Sequence, residues 1–77
     1  MPINVNMPNF GDEGACKVVE ILVQPGQVVV ADQPLLTVEA NKTSSDVGAP
    51  VKGVVGTIRV SVGDVVHAGT CVMTINT

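Results

Sequence analysis

The sequence predicts an all-β domain: a flattened barrel or sandwich of two four-stranded antiparallel sheets with pseudo-twofold symmetry, and a lysine, Lys42, at a hairpin tip. Three observations predict it. Valine is by far the commonest apolar residue, and its branched side chain loses rotamer freedom in a helix but packs well on a pleated surface. Eight glycines and five prolines recur at short intervals and cut the chain into pieces too short for a helical apolar stripe. Finally, the chain aligns with itself.

Taken in chain order, residues 3–7 form a first strand that matches residues 45–49. Val5-Asn6-Met7-Pro8 corresponds to Val47-Gly48-Ala49-Pro50 and Gly11 to Gly53, an offset of 42 (53 − 11). The segment 18–31 then matches 55–68 at an offset of 37 (63 − 26), with Val18, Ile21, Val23, Gly26, Val28, Val29 and Ala31 meeting identical residues. The offsets differ by five (42 − 37), so the first half carries about five extra residues around Asp12-Glu13-Gly14-Ala15-Cys16. Small and acidic residues of this kind read as a surface loop. Pro25-Gly26 and Val62-Gly63-Asp64 supply equivalent turns. The apolar matches Leu35/Val72, Leu36/Met73 and Val38/Ile75 close each half.

Two like halves of short strands can bury their apolar faces only against each other, which makes a twofold sandwich the economical solution. Residues 3–7 should pair with 72–75 as residues 45–49 pair with 35–39, the latter as a hairpin through Asn41 and Lys42. The position symmetric to Lys42 is then the gap between the chain ends. Lys42 should lie at the far end of the domain from both termini.

With 77 residues the chain reads as one small domain, residues 1–77. A net charge of −3, four basic residues and a single aromatic, Phe10, argue against a nucleic-acid surface. No apolar run approaches the roughly 20 residues of a membrane-spanning helix, and no signal segment opens the chain. Cys16 and Cys71 are far apart, so reduced thiols are expected rather than a disulfide framework or zinc module. Cys16 is expected to be the more exposed, in the inserted loop, and Cys71 a partly buried residue at a strand start. Met7, Phe10 and Met73 are expected as core or edge residues. His67, with no second ligand near it, reads as a solvent-facing strand end. Glu39 and Asp46 flank the tip without forming an acid pair.

Lys17 and Lys52, in the exit of the long loop and in the link between halves, lack the symmetric hairpin that frames Lys42. A primary amine held clear of its neighbours on a rigid turn is suited to covalent modification by another enzyme. The chemistry needed for that step resides in the modifying enzyme; the domain contributes shape.

Five stretches together carry a family resemblance: Met7-Pro8-Asn9-Phe10-Gly11, Val23-Gln24-Pro25-Gly26-Gln27-Val28, Glu39-Ala40-Asn41-Lys42-Thr43, Ala49-Pro50-Val51-Lys52-Gly53, and Val62-Gly63-Asp64-Val65-Val66. In them the chain resembles the lipoyl domains of the biotinyl/lipoyl carrier family, as found in the acyltransferase component of 2-oxo acid dehydrogenase complexes. The family pattern is roughly Glu-x-Asp-Lys-Ala for lipoyl and Glu-Ala-Met-Lys-Met for biotinyl domains. Here Asn41 replaces the lipoyl aspartate and Thr43 the alanine, and the methionines that flank the biotinyl lysine are missing. The extra loop at 12–16 lies where lipoyl domains carry one.

The resemblance implies a non-catalytic swinging-arm carrier with lipoic acid amide-linked to Lys42, Asn41 and Thr43 shaping the tip, and Asp12, Glu13 and Glu39 available for partner recognition. It implies as partners a lipoate ligase or transferase, a thiamine-dependent decarboxylase, an acyltransferase and a dihydrolipoyl dehydrogenase. It implies a monomeric isolated domain in the cytoplasm, or in the mitochondrial matrix of a eukaryote. Two alternatives belong to other classes: a biotin carrier for a carboxylase or decarboxylase, and an unmodified structural module of the same fold.

Overall fold

A computed structural model describes residues 1–9 and 14–77. These residues contain eight strands: β1 (Pro2–Asn6), β2 (Cys16–Ile21), β3 (Val28–Val29), β4 (Pro34–Ala40), β5 (Thr43–Gly48), β6 (Gly53–Ile58), β7 (Val65–Val66) and β8 (Cys71–Asn76). They form two four-stranded sheets with orders β1-β8-β6-β3 and β5-β4-β2-β7, and every pairing is antiparallel. Among the described residues there is no helix, as the valine-rich, glycine-broken sequence requires.

The repeat is visible in the strand bounds. β2, β3 and β4 recur 37 residues later as β6, β7 and β8, and the first residue of each keeps that offset (16 to 53, 28 to 65, 34 to 71). The halves are nonetheless not the sheets. Each sheet takes two strands from each half, so the halves interleave rather than stack. The pairings expected between β1 and β8 and between β4 and β5 are both present, with Ile3 opposite Ile75 and Val38 opposite Ser45.

The core lies between the sheets, and β4 and β8 each contribute more to it than any other strand. Leu35, Leu36, Val38, Val72, Met73 and Ile75 are all buried. A register shift between Pro34 and Leu36 breaks the alternation of the strand and lets Leu35 and Leu36, consecutive in sequence, both leave solvent. Each such side chain contributes about 1.5–3 kcal/mol by burial.

Four tight turns connect the short strands, and they too come in symmetric pairs. The third residue of each has positive φ: Gly26, Asp32, Gly63 and Gly69. In each, the fourth residue folds its side chain back to accept from the N–H of the first. Gln27 Oε1 accepts from Gln24 (3.2 Å), Gln33 Oε1 from Val30 (3.1 Å), Asp64 Oδ2 from Ser61 (2.9 Å) and Thr70 Oγ1 from His67 (3.2 Å).

Three expectations change. Cys16 is the first residue of β2, opposite Val66, and is buried; it is Cys71 that is partly exposed. The inserted loop therefore ends before Cys16, which is the counterpart of Gly53 at the start of β6. Lys17 likewise belongs to β2, paired with Glu39 and Val65, and not to a loop exit. Both cysteines are free. Met7 and Met73 are core residues and His67 is exposed, as expected, whereas Phe10 lies outside the described residues.

Candidate functional site

The β4–β5 hairpin turns in two residues. Ala40 pairs with Thr43, and between them Asn41 and Lys42 have φ of 49° and 65°. Left-handed φ at both central residues is the geometry of a type I′ turn, whose twist matches that of the flanking strands. Asparagine is among the few residues that tolerate this region, because its short polar side chain can bond locally. Asn41 therefore suits the turn as well as an aspartate does. Lys42 has no such compensation. It is a long side chain held in a conformation that usually goes to glycine.

The pairing register fixes where the tip points. Met1 and Thr77 are joined by reciprocal bonds, Met1 N to the Thr77 carbonyl at 3.2 Å and Thr77 N–H to the Met1 carbonyl at 3.3 Å. From there β1 and β8 run together to the opposite end, where the Met7 N–H donates to the Thr70 carbonyl at 2.8 Å. Four residues before Thr70, β7 lies against β2, and Lys17 of β2 is flanked by Val65 on one side and Glu39 on the other. Glu39 is one residue from the end of the tip pair. Lys42 and the termini are thus at opposite ends of the molecule, and the termini occupy the position symmetric to the tip.

Among the expected site residues, Asn41, Lys42, Thr43 and Glu39 share the tip and are exposed. Thr43 closes the hairpin opposite Ala40, and Glu39 lies between Ser44 and Lys17. Asp12 and Glu13 lie outside the described residues. Asp46 accepts a hydrogen bond from the Thr37 hydroxyl at 2.8 Å, so it is engaged across the sheet and not with Glu39. An apolar groove of about 390 Å³ lined by Val28, Val30, Lys52 and Val54 also contains Asn76 and Thr77, which places it at the terminal end, away from Lys42.

The tip therefore presents an exposed amine, and the two acids that flank it, Glu39 and Asp46, do not pair with each other. The Lys42 amine is exposed and can be reached by another enzyme. The place of the lysine follows from the repeat alone, whereas the I′ geometry of the turn does not. The signal was present in Asn41, since asparagine leads the non-glycine residues at the first position of such turns.

The biotin/lipoyl family model, described as "Biotin-requiring enzyme", matches residues 3–75. The chain belongs to the biotin/lipoyl family. Within that family the chain is 36% identical over 70 residues to the dihydrolipoyllysine-residue acetyltransferase component of the pyruvate dehydrogenase complex of Pseudomonas aeruginosa. That alignment covers 91% of this chain and 13% of the relative. The Haemophilus influenzae protein of the same description is 41% identical over 71 residues, 92% of this chain and 12% of that protein. The chain thus spans about an eighth of the length of the curated relatives it matches.

Two solved structures have a similar fold. The lipoyl domain of the 2-oxoglutarate dehydrogenase complex from Azotobacter vinelandii superposes with a TM-score of 0.77 at 25% identity, covering 97% of this chain and 96% of that one. The urea carboxylase of Kluyveromyces lactis superposes with a TM-score of 0.84 at 28% identity, covering 99% of this chain and 6% of that one.

Proposed function

We infer that this chain is a lipoyl-type carrier domain that is loaded on Lys42 and shuttles acyl groups and reducing equivalents between the active sites of a 2-oxo acid dehydrogenase-type complex. The observation that carries the reading is the two-residue I′ turn, which offers one amine, Lys42, at the end of the molecule opposite the termini. Its kinship to the acetyltransferase components supports the lipoyl assignment, as does the absence of methionine on either side of Lys42.

Loading needs a lipoate ligase or transferase. In the ligase reaction the ε-amine attacks the acyl carbon of an acyl adenylate, the amide C–N bond forms, the acyl–phosphate C–O bond breaks, AMP leaves, and the amine gives up its protons. Once attached, a lipoyl group supplies a dithiolane that takes up an acyl group and two electrons together. The chain's own part is to hold the attachment point rigidly, away from the sheets, on a tip that enters another enzyme's active site. Tethering raises effective concentration without a tight complex, so each encounter can be weak. As sites to visit we propose a thiamine-dependent decarboxylase, an acyltransferase and a dihydrolipoyl dehydrogenase, in the cytoplasm or the mitochondrial matrix.

A biotin carrier is the second reading, favoured by the superposition on the urea carboxylase. Intact mass after co-expression with each ligase separates them. The lipoyl reading expects a gain of about 188 Da with lipoate ligase and none in Lys42→Arg, whereas a gain of about 226 Da with biotin ligase would favour the alternative. No gain with either ligase, or a gain that survives Lys42→Arg, overturns both.

A further inference from the structure

The internal symmetry allows the two outer faces to be compared position by position, and they differ in charge. On the outer face of the β5-β4-β2-β7 sheet, one cross-strand row is Val65, Lys17, Glu39 and Ser44, and the next is Glu20, Thr37 and Asp46. The symmetric rows on the other sheet are Val28, Val54, Asn76 and Pro2, followed by Thr57, Thr74 and Asn4. Every charged residue in the first set corresponds to a neutral one in the second: Lys17/Val54, Glu39/Asn76, Glu20/Thr57 and Asp46/Asn4. The three acids are exposed, and Thr37 and Thr74 match across the symmetry as a shared scaffold.

Packing does not require this difference, because the same fold accommodates both sets of residues in one molecule. What separates the faces is that one leads to Lys42 and the other to the termini. We propose that the outer face of the β5-β4-β2-β7 sheet is the surface on which the enzyme that loads Lys42 docks, through a basic rim beside its active site. An enzyme that holds an acyl adenylate needs cationic groups around the phosphate, so the entrance to its site is complementary to a net acidic face beside the attacking amine. Charges at the rim of a transient contact act on the rate and orientation of encounter more than on its lifetime, which suits a carrier that must leave after loading.

This proposal rests on Lys42 being the lipoylated residue, and the test separates the two. The wild-type domain is first incubated with lipoate ligase, ATP and lipoate, and its mass gain recorded; no gain fails the underlying reading. Loading kcat/KM is then measured at low and high salt for Glu20→Thr/Glu39→Asn/Asp46→Asn. In this variant each acid becomes its symmetric counterpart, and the amide oxygen introduced at position 46 can still accept from Thr37. The expected result is a fall of about tenfold at low salt and a flatter salt dependence, with the two proteins converging at high salt. Asn4→Asp/Thr57→Glu/Asn76→Glu, which adds the same three charges to the opposite face, should load at the wild-type rate. Equal rates and equal salt slopes for the first variant overturn the proposal, as does an acceleration of the second, which would assign the effect to net charge. Glu39→Gln alone, which keeps the shape of the side chain, should show about a two- to threefold fall and provides the reading if the triple variant does not fold.

Discussion

At the scale of single residues, Lys42 and Asn41 answer to different demands. At Asn41 residue type and backbone agree, since the turn needs left-handed backbone and asparagine accepts it. Lys42 is where they conflict. A non-glycine residue at φ 65° stores about 1–2 kcal/mol that glycine would not. Lys42→Gly should therefore raise stability by about 0.5–1 kcal/mol, after the extra flexibility of glycine in the unfolded chain is subtracted. Thermal unfolding would show this as a higher midpoint, in a protein that no longer gains mass with ligase. A lower midpoint would mean that the turn is not strained at Lys42. Cys16 shows the opposite limit of residue-level reading. The small and acidic residues before it suggest a loop, yet the strand pairing with Val66 buries it.

At the scale of elements, the two sheets share a plan but differ in detail. β6 begins at Gly53, where an added Cβ would run into the Asn76 carbonyl and the Ile75 side chain, and a Cβ at Gly56 would lie 2.5 Å from Thr74 Oγ1. Thr74 Oγ1 already accepts from the Thr57 N–H at 3.0 Å, so it has little freedom to retreat. At the equivalent places β2 carries Cys16 and Val19. Gly53→Ala should cost about 1–3 kcal/mol by overpacking, measured by denaturant unfolding, and a neutral result would show that β8 can shift aside. Most of this level is readable in the sequence. Valine runs punctuated by glycine give the strands, and the offset of 37 gives their equivalence. The exchange of β3 and β7 between sheets is not readable there, because two-residue strands have no periodicity of their own and are placed by what the longer strands leave open. The face that carries Glu20 and Asp46 is equally hidden, since it appears only once the cross-strand rows are known.

At the scale of the whole molecule, the bonded termini predict tolerance to circular permutation. Joining Thr77 to Met1 through Asn-Gly, with new ends opened between Val51 and Lys52, replaces the Met1–Thr77 contact by a second I′ hairpin. The permutant should unfold cooperatively near the wild-type midpoint and still accept a group on Lys42. Loss of folding would show that the link between the halves, at Pro50 to Lys52, holds them together in a way the terminal contact does not.

The separation of the tip from the termini also has a mechanical side. Whatever is joined at Met1 or Thr77 holds one end of a body 33 Å long and 19 × 17 Å across, while Lys42 rides at the other. The rigid sandwich then works as a lever. A modest rotation at the attached end sweeps Lys42 through a distance comparable with the width of the domain.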